Sequence, residues 1–376
     1  MRRVLIFTGG YLPGKKYGGP VVSISNFVNL CGDNLDIYIV TSNHDLKDSN
    51  PYPNIKLGWN QVGKAKVLYC QNADFNFKSI KNIVSDIKPD IIYQNSFFDA
   101  KRAIPLLLIS KRMKIRMVLA PRGELFESVL SQKSFKKAPY LFWVKKFLLN
   151  EYVCFQATTE TEKEQIRKRL DISSEKIFVL ENVPSLPVNL GKKSKKQAGI
   201  LNLVYISRIH PQKNLYFALE SLKKIKGKVR FDIYGPKEMP QYWEACTHLI
   251  KELPSDIQVR YCGIAERENI HQIYSENDAM ILPTISENYG HSIVEAMLSN
   301  CPVIISDNTP WTDINQAEVG WAISLSRQND YSTAIQQLVN LDEKQYQRLV
   351  KKLETYIGDK LKVDALKKQY NEFFNK

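Results

Sequence analysis

Two glutamates, Glu287 and Glu295, flank a short polar segment that is typical of a ligand-binding loop. They lie between the apolar stretches 279–282 and 302–306. Strand, polar loop, helix and strand in this order form the βαβ unit of a parallel sheet, where ligands bind beyond the carboxyl ends of the strands. A helix N-terminus offers free N–H groups to an anion, and carboxylates accept hydrogen bonds from sugar hydroxyls. The segment therefore suggests a substrate that contains both a sugar and a phosphate.

The same two glutamates also fit a purely structural role. Ser292 and Glu295 have the spacing of a capping box, in which a serine caps the helix and the glutamate reaches back to the cap N–H. Glu287 could equally be a solvated loop acid. Taken singly, each glutamate favours the structural role, so both alternatives stay open at this point.

A second candidate loop contains two cations. Arg208 and Lys213 follow the apolar run 203–207 and precede a helix-like stretch. This position suits phosphate binding, because arginine presents a planar fork of donors and lysine a point charge. A surface turn with two solvated cations explains them equally well.

A glycine pair, Gly18 and Gly19, lies in the loop after the first apolar run, 4–8. Glycines there would let backbone N–H groups approach a ligand closely. Neither the G-x-G-x-x-G fingerprint nor a G-x-x-x-x-G-K-[ST] loop occurs, so those two nucleotide-binding motifs are excluded. His44, which follows the run 37–41, is a further candidate, and no Ser/His/Asp order indicates a hydrolase.

The elements that must position these residues alternate between strand and helix in both halves of the chain. Strands are predicted at 4–8, 37–41, 66–69, 90–94, 117–120, 203–207, 231–234, 259–262, 280–283 and 302–306, and helices at 21–31, 77–88, 99–110, 215–225, 268–275 and 293–299. Two such series predict an α/β protein with two Rossmann-like domains. The polar, basic and glycine-bounded run 189–199 is the predicted linker.

One more predicted helix has a stripe of large apolar side chains. The stripe has the offsets of one helical face and consists of Tyr140, Trp143, Val144, Phe147 and Leu148. We expect this face to be part of the core, although the flanking lysines leave a membrane anchor open.

The net charge of +14 favours anionic partners. Two stretches of the first half, 101–116 and 131–146, contain lysines and arginines but no acid. They are either solvated helix faces or a surface that faces anions or a membrane. A nucleic-acid-binding protein would also explain the charge, but the interleaved aromatic and basic residues or the recognised module expected of one are missing.

The remaining composition indicates a soluble protein of 376 residues, long enough for two domains. The six cysteines show no paired spacing, so we expect neither a disulfide framework nor a zinc site, and we expect most of them to be buried. The apolar runs have the length of strands, and the N-terminal run is too short for a signal peptide. These features predict a cytoplasmic location.

Taken together, these motifs resemble those of the retaining glycosyltransferases of family four, within glycosyltransferase group 1. The run 286–296 is similar to the E-x7-E signature of that family. Gly18–Gly19, the Arg208/Lys213 pair and Tyr234–Gly235 fall where the family pattern puts them. The segments 120–123 and 306–311 resemble bacterial members that build surface polysaccharides. The resemblance covers essentially the whole chain.

The resemblance implies a GT-B fold, in which two Rossmann-like domains face each other across a cleft. The first, acceptor-side domain would span 1–190, and the C-terminal helix 362–376 would cross back onto it. The second domain, 197–361, would bind the nucleotide sugar. Leu366, Tyr370 and Phe373 lie on one face of the C-terminal helix and could make that contact.

The resemblance also implies roles for single residues. Glu287, Arg208 and Lys213 would be the catalytic groups: Glu287 would bind hydroxyls of the donor sugar, and the two cations would neutralise the diphosphate. Glu295 would hold the ribose hydroxyls. The other donor-binding positions would be Gly18, Gly19, Gly235, Gly263, Ile264, Asn288, Tyr289, Gly290, His291 and Ser292.

Asn95, Arg122 and His44 are expected on the acceptor side. Many relatives carry a histidine after the strand equivalent to 90–93, where this chain has Gln94, Asn95 and Ser96. The general base of those relatives therefore has no counterpart here, and Asn95 would only orient the substrate.

The implied reaction moves a hexose-type sugar from a UDP- or GDP-sugar to a saccharide acceptor linked to polyprenyl diphosphate. Its product would be O-antigen, capsule or exopolysaccharide. Same-face substitution retains the anomeric configuration and needs no metal or other cofactor. We expect the acid-free blocks to hold the protein peripherally at the anionic inner face of the plasma membrane. A nucleotide-sugar epimerase or a phosphorylase of the same fold is the alternative.

Overall fold

The computed structural model describes residues 1–130, 134–187, 190–192 and 194–375. The chain divides into two compact units, of which the first contains Met1–Val183 together with Val363–Lys376 and the second contains Pro184–Lys362. Each unit is built on its own sheet of mainly parallel strands.

In the first unit, eight strands of the described residues form one sheet in the order β3-β4-β2-β1-β5-β6-β7-β8. The strands are β1 Arg2–Thr8, β2 Leu35–Ser42, β3 Trp59–Val62, β4 Ala65–Cys70, β5 Ile91–Asn95, β6 Arg116–Ala120, β7 Val153–Ala157 and β8 Ile177–Val179. Strand β3 pairs antiparallel with β4, and the other neighbours pair in parallel. The helices of this part are α1 Gly19–Cys31, α2 Phe77–Ile87, α3 Ala100–Met113, α4 Glu127–Leu130, α5 Ser134–Trp143 and α6 Glu160–Leu170.

The first sheet is covered on both faces because successive side chains of a strand point to opposite sides. In β1, Val4 and Ile6 pack in one apolar cluster with α1, while Leu5 and Phe7 pack in another with α2 and α3. A continuous apolar run such as 4–7 therefore fits a strand buried on both faces. Five of the six cysteines are buried, as predicted.

In the second unit, six strands of the described residues pair in parallel in the order β11-β10-β9-β12-β13-β14. They are β9 Ile200–Ile206, β10 Lys228–Tyr234, β11 Ile257–Tyr261, β12 Ala279–Leu282, β13 Val303–Ser306 and β14 Gly320–Ile323. The helices are α7 Leu215–Glu220, α8 Pro240–Lys251, α9 Ile270–Glu276, α10 His291–Leu298, α11 Gln328–Asn340 and α12 Glu343–Leu361. The chain order reverses between β9 and β12, and such switch points are where ligands bind in open α/β sheets.

The last helix, α13 Val363–Asn375, belongs to the first unit. Its side chains Leu366, Tyr370 and Phe373 are buried in the same apolar cluster as α1. The Tyr370 hydroxyl donates to the carbonyl of Glu181 at 2.8 Å. Of the helices in the described residues, none combines the length and the apolar character needed to cross a membrane.

The basic run predicted as a linker, 189–199, lies within the second unit. Asn189 and Lys193 lie outside the described residues. Lys196 is buried, and its Nζ donates to the carbonyls of Gln197 at 2.9 Å and Leu341 at 3.3 Å. The part of the run around Lys196 is therefore packed inside the second unit.

The helix predicted at 215–225 is too long, because α7 ends at Glu220. The hydroxyl of Ser221 donates to the carbonyl of Phe217 at 2.9 Å, and the chain continues as turns closed by i→i+3 hydrogen bonds, such as Ile225 N to Leu222 O at 3.2 Å. A serine hydroxyl that bonds a helix carbonyl competes with continuation of the helix.

The expectation of a single core stripe around residue 144 is wrong for two of its members. Val144 and Leu148 are buried, but Trp143 is 47% exposed and Phe147 is 57% exposed. Beyond Trp143 the chain forms a π-helix over Val144–Leu148, closed by the bond from Leu149 N to Val144 O at 3.1 Å. The i→i+5 bond widens the turn and changes which side chains share a face.

Gly235, directly after β10, approaches the backbone after β9. Its φ is +144°, and a Cβ built there would lie 1.8 Å from the carbonyl oxygen of Ser207. Gly263 also has a positive φ, +83°, but a Cβ there would meet nothing within 4 Å. Of these two glycines, only Gly235 lies where neighbouring backbone excludes a side chain.

We therefore predict that Gly235→Ala lowers the free energy of unfolding by at least about 2 kcal/mol, because both strain and a backbone clash arise. Gly263→Ala is the matched control and should cost only about 1 kcal/mol, since it meets the backbone strain alone. Urea titration of both variants measures the difference. Equal losses would show that the clash is relieved at no cost.

Candidate functional site

The sequence candidates of the second unit meet where β9 and β12 end. Lys213 Nζ forms an ion pair with the carboxylate of Glu287, and the two side chains are only 12% and 18% exposed. Loops that follow neighbouring parallel strands lie at the same edge of the sheet, which brings these distant residues together. Low exposure strengthens their attraction and makes the removal of one partner costly.

Backbone hydrogen bonds hold the loops around this ion pair. Ile285 N donates to the carbonyl of Gln212 at 2.8 Å, which joins the loop after β12 to the loop after β9. Glu287 N donates to the carbonyl of Asn308 at 3.1 Å, which adds the loop after β13. The position of Glu287 is therefore set by three strand ends.

Gly290 makes the turn into α10. It is the N-cap residue with φ +80°, and a Cβ there would lie 3.2 Å from Cγ of Glu287 and 2.8 Å from Cδ1 of Ile293. Helix α10 begins at His291 without a side-chain cap, so Ser292 is already inside the first turn. The capping-box alternative for Ser292 and Glu295 is therefore wrong.

Aromatic contacts fix the loop before α10. Trp311 Nε1 donates to the carbonyl of Tyr289 at 2.5 Å, and the two rings meet edge to face with centroids 5.9 Å apart. The rings of Tyr289 and His291 are 4.9 Å apart. Tyr289 is buried, while Asn288, His291 and Ser292 are half-buried. The N-terminal N–H groups of α10 consequently have a fixed direction, as an anion site requires.

Glu295 lies in the second turn of α10 and is 7% exposed. Burial raises the pKa of its carboxyl to about 7, against a smaller lowering effect of Arg267. The hydroxyl of Tyr274 is buried nearby, and its own pKa is raised well above the usual value, first by burial and then by the charge of Glu295. At neutral pH, Glu295 is therefore poised between its acid and its carboxylate.

Arg208 has a partner that sequence reasoning missed. Its Nη1 lies 3.0 Å from a carboxylate oxygen of Glu238, in the loop after β10. The carbonyl of Arg208 accepts a bond from the Tyr205 hydroxyl at 3.1 Å. The structure thus pairs Lys213 with Glu287 and Arg208 with Glu238, and an acid just beyond Gly235 was the sequence signal for the second pair.

The loops after β10 and β11 are joined through their glycines. Gly235 N donates to the carbonyl of Gly263 at 2.8 Å, and the hydroxyl of Tyr261 donates to the carbonyl of Gly235 at 3.0 Å. Ile264 is 40% exposed beside them. All three donor-side candidates of this region lie together.

In the first unit, Asn95 and Arg122 are hydrogen-bonded to each other. Arg122 Nε donates to Oδ1 of Asn95 at 3.0 Å, while Nη2 donates to the Tyr93 hydroxyl at 2.6 Å and Nη1 to the side chain of Asn182. Arg122 adopts the left-handed backbone region with φ +55°, a strained conformation of the kind found at functional sites. These bonds hold the ends of β5 and β6 together.

His44 lies apart from that pair, since β1 separates β2 from β5 in the sheet. Its Nδ1 is 3.0 Å from the carbonyl of Asp45, and its Nε2 is 3.3 Å from the side-chain amide of Asn72. The structure therefore does not join His44 to Asn95 by a described hydrogen bond.

The glycine loop of the first unit is held by an aspartate that sequence reasoning missed. Gly18, with φ +66°, is the N-cap of α1, and Gly19 is its first residue. The carboxylate of Asp45 accepts bonds from Lys15 N at 2.8 Å and Lys16 N at 3.1 Å. Its place beside His44 in a strand-end loop was the available signal.

Within the described residues, no group of His, Cys, Asp and Glu side chains is arranged to hold a metal ion.

Residues 190–355 match the family model of the glycosyl transferases group 1. This segment contains every site residue described above for the second unit.

Two curated proteins are similar to parts of the chain. One is an uncharacterized 41.2 kDa protein in the cps region of Klebsiella pneumoniae, 24% identical over 230 residues that cover 58% of this chain and 61% of that protein. The other is the O-antigen chain mannosyltransferase RfbU of Salmonella typhimurium, 24% identical over 46% of this chain and 48% of that protein. The chain thus spans about half to three-fifths of the length of these relatives.

Solved structures are similar over the whole chain. Alr3699/HepE of Anabaena, in complex with UDP and glucose, has a TM-score of 0.74 with 14% identity and covers 100% of both chains. WaaG, a glycosyltransferase involved in lipopolysaccharide biosynthesis, has a TM-score of 0.69 with 11% identity and covers 99% of both chains. The fold is GT-B, as predicted.

The pKa of Glu295 leads to a stability prediction. Because the carboxyl titrates near 7 in the folded chain and near 4.5 when unfolded, its contribution to stability is complete at low pH and is lost as the pH rises through 7. We predict that the free energy of unfolding of Glu295→Gln rises relative to that of the parent as the pH increases from 4.5 to about 7, by up to about 3 kcal/mol. Urea titrations at pH 4.5 and 8 measure this difference, and a pH-independent difference would contradict the raised pKa.

Proposed function

We propose that this protein is a retaining glycosyltransferase that moves a hexose-type sugar from a nucleoside-diphosphate sugar to a saccharide acceptor. The observation that supports this most is the Lys213–Glu287 ion pair beside the N-terminus of α10. It combines a cation and a helix N-terminus for a diphosphate with a carboxylate for sugar hydroxyls. The match of residues 190–355 to the group 1 transferase model supports the same reaction.

In the proposed reaction, groups of this chain would stabilise the negative charge that develops on the leaving diphosphate. The bond from the anomeric carbon to the diphosphate oxygen breaks, and a bond to the acceptor hydroxyl oxygen forms on the same face of the sugar. The acceptor proton passes to the departing phosphate. Lys213, Arg208 and the α10 N-terminus would stabilise the negative charge of the leaving group, without a metal ion.

Glu287 and Glu238 would exchange partners when the donor binds. The diphosphate would take the place of each carboxylate at Lys213 and Arg208, because it offers these cations more negative charge. Glu287, once released, would accept hydrogen bonds from hydroxyls of the transferred sugar. Glu295, in the second turn of α10, would accept hydrogen bonds from the ribose in its carboxylate form.

The proposed pathway is the synthesis of a cell-surface polysaccharide. Its support is the similarity to a protein of a cps region and to an O-antigen chain mannosyltransferase. We propose a UDP- or GDP-sugar as donor, a polyprenyl-diphosphate-linked saccharide as acceptor and a peripheral location at the cytoplasmic face of the plasma membrane. Gly18, Gly19, Asn95, Arg122 and His44 remain proposed ligand contacts of the first unit.

A panel of sugar nucleotides tests the donor assignment. UDP- and GDP-sugars are added to the purified protein, and the thermal midpoint is measured for each. A donor at one hundred times its Kd should stabilise the folded state by about 2.7 kcal/mol, which is a rise of several degrees. If none of the sugar nucleotides or nucleoside diphosphates raises the midpoint, the proposed donor site is wrong.

We predict that Glu287→Gln lowers kcat/KM for transfer at least about hundredfold, because the sugar loses a charged acceptor at the reacting centre. Glu244→Gln, an exposed position on α8, is the matched control and should leave the rate unchanged. Initial rates of nucleoside diphosphate release, together with a thermal midpoint for each variant, measure this. A folded Glu287→Gln enzyme of parental rate would contradict the role of Glu287.

We also predict that Glu238→Gln tightens the binding of nucleoside diphosphate about fivefold, because a competing carboxylate pair of about 1 kcal/mol is removed. Titration calorimetry at low and high salt measures the effect, which should shrink as salt screens the charges. Glu244→Gln again serves as control for the loss of one negative charge. Weaker binding by Glu238→Gln would mean that the carboxylate positions Arg208 for the ligand instead of competing with it.

A further inference from the structure

The surface formed by α5 and the π-helical turn after it exposes four large aromatic side chains. Phe135 is 72% exposed, Phe142 60%, Trp143 47% and Phe147 57%. Large apolar side chains that are grouped and exposed mark a binding surface more often than chance exposure. We call these four residues, with the lysines between them, the aromatic–lysine face.

The opposite side of the same segment packs on the core, so the four aromatic side chains are exposed on an ordered part of the chain. Val144 and Leu148 are buried, and the Tyr140 hydroxyl donates to the carbonyl of Phe97 at 2.8 Å. The Tyr140 ring also packs on the rings of Phe97 and Phe98, each with centroids 5.6 Å away. The segment therefore has apolar side chains on both sides, and those on the outward side have no described cover.

Lysines lie beside two of these aromatic rings. Lys136 Nζ lies 5.6 Å from the centroid of the Phe135 ring, and Lys146 Nζ lies 5.9 Å from that of Phe142. Residues 134–148 contain four lysines and no acid. Lys145 forms an ion pair with Asp171 at 3.4 Å, at the border of the face. Lys133, which continues the basic block, lies outside the described residues.

We propose that the aromatic–lysine face binds the surface of an anionic lipid bilayer. Exposed Phe and Trp side chains enter the region between headgroups and acyl chains, while lysines around them contact the phosphate headgroups. The positive charge of Lys136 and Lys146 argues for this occupant, because a second copy of the same face would bring like charges together. The proposal deepens the proposed function by naming where a lipid-linked acceptor would be met, but vesicle binding does not depend on transfer.

Vesicle flotation with the full chain tests the proposal. Vesicles of phosphatidylcholine alone are compared with vesicles that also contain phosphatidylglycerol. The chain should bind the anionic vesicles at least about tenfold more tightly, and the preference should fall as salt rises. Equal binding to both vesicle types, or to neither, would overturn the proposal.

Paired variants locate the contact. Phe142→Ser with Phe147→Ser should weaken binding at least about tenfold, because both inserted rings are lost. Lys136→Gln with Lys146→Gln should weaken vesicle binding by at least about tenfold, because each lysine near an anionic surface contributes roughly fivefold. The controls are Leu57→Ser with Leu186→Ser, both exposed apolar positions, and Lys344→Gln with Lys351→Gln, both exposed on α12. The controls should change binding by less than about twofold.

Two outcomes contradict the location. If the α12 lysine pair weakens binding as much as the Lys136/Lys146 pair, net charge and not this face is responsible. If the Phe142/Phe147 variant binds as the parent does, the rings do not insert. A third outcome assigns the face to a second copy of the chain. In it, the parent does not bind vesicles but self-associates in sedimentation, and the Phe142/Phe147 variant does not self-associate. Nucleoside diphosphate should bind the variant as it binds the parent, so this test fails independently of the proposed function.

Discussion

The ion pair between Lys213 and Glu287 constrains the candidate site more than any other described contact. At 12% and 18% exposure, removal of either side chain would leave the charge of the other poorly solvated and unpaired, which costs several kcal/mol. The pair therefore ties the loop after β9 to the loop after β12. A diphosphate that replaces Glu287 beside the lysine would preserve the charge balance and release the carboxylate for the sugar. The same contact would thus maintain the empty site and prepare it for the donor.

Around this pair the second unit is organised by its backbone, whereas the edge of the first unit is organised by side chains. Gly235 and Gly290 have positive φ where strands and helix start come so close that a Cβ would clash. In the first unit, Arg122 and Asp45 bond several loop groups each. A backbone-built edge suits the recognition of a diphosphate, a group common to many donors. An edge built from side chains can differ between proteins that bind different acceptors.

The sequence predicted ten of the fourteen strands in the described residues, because apolar strand-length runs, such as 4–8 and 279–282, alternate with polar loops that contain glycine. Strands β3, β7, β8 and β14 were not assigned. The E-x7-E run and the two cations were found for the same reason, since strand ends are where ligand groups are expected. Helices α6, α8, α11 and α12 were not assigned. In α6 and α12 the apolar residues are sparse among charged ones, and in α11 they are sparse among uncharged polar ones, so that they become a core face only through packing.

What the sequence could not predict depends on long-range pairing. The acid beyond Gly235 is visible in the sequence, but its pairing with Arg208 is not, because the two residues belong to loops after different strands. The capping box at Ser292 failed because Gly290 takes a left-handed turn and α10 begins earlier. The side of the chain that Trp143 and Phe147 face is decided by an i→i+5 hydrogen bond, which periodicity of 3.6 does not anticipate.

The central claim is that the second unit holds a sugar nucleotide whose sugar is passed to a saccharide. The most direct measurement follows nucleoside diphosphate release from each sugar nucleotide, with and without a polyprenyl-diphosphate-linked saccharide, and determines the anomeric configuration of the product by NMR. Our account predicts release that depends on the acceptor and a glycoside of the same anomeric configuration as the donor. Inversion at the anomeric carbon, or salt-sensitive binding to DNA with no turnover of any sugar nucleotide, would contradict it.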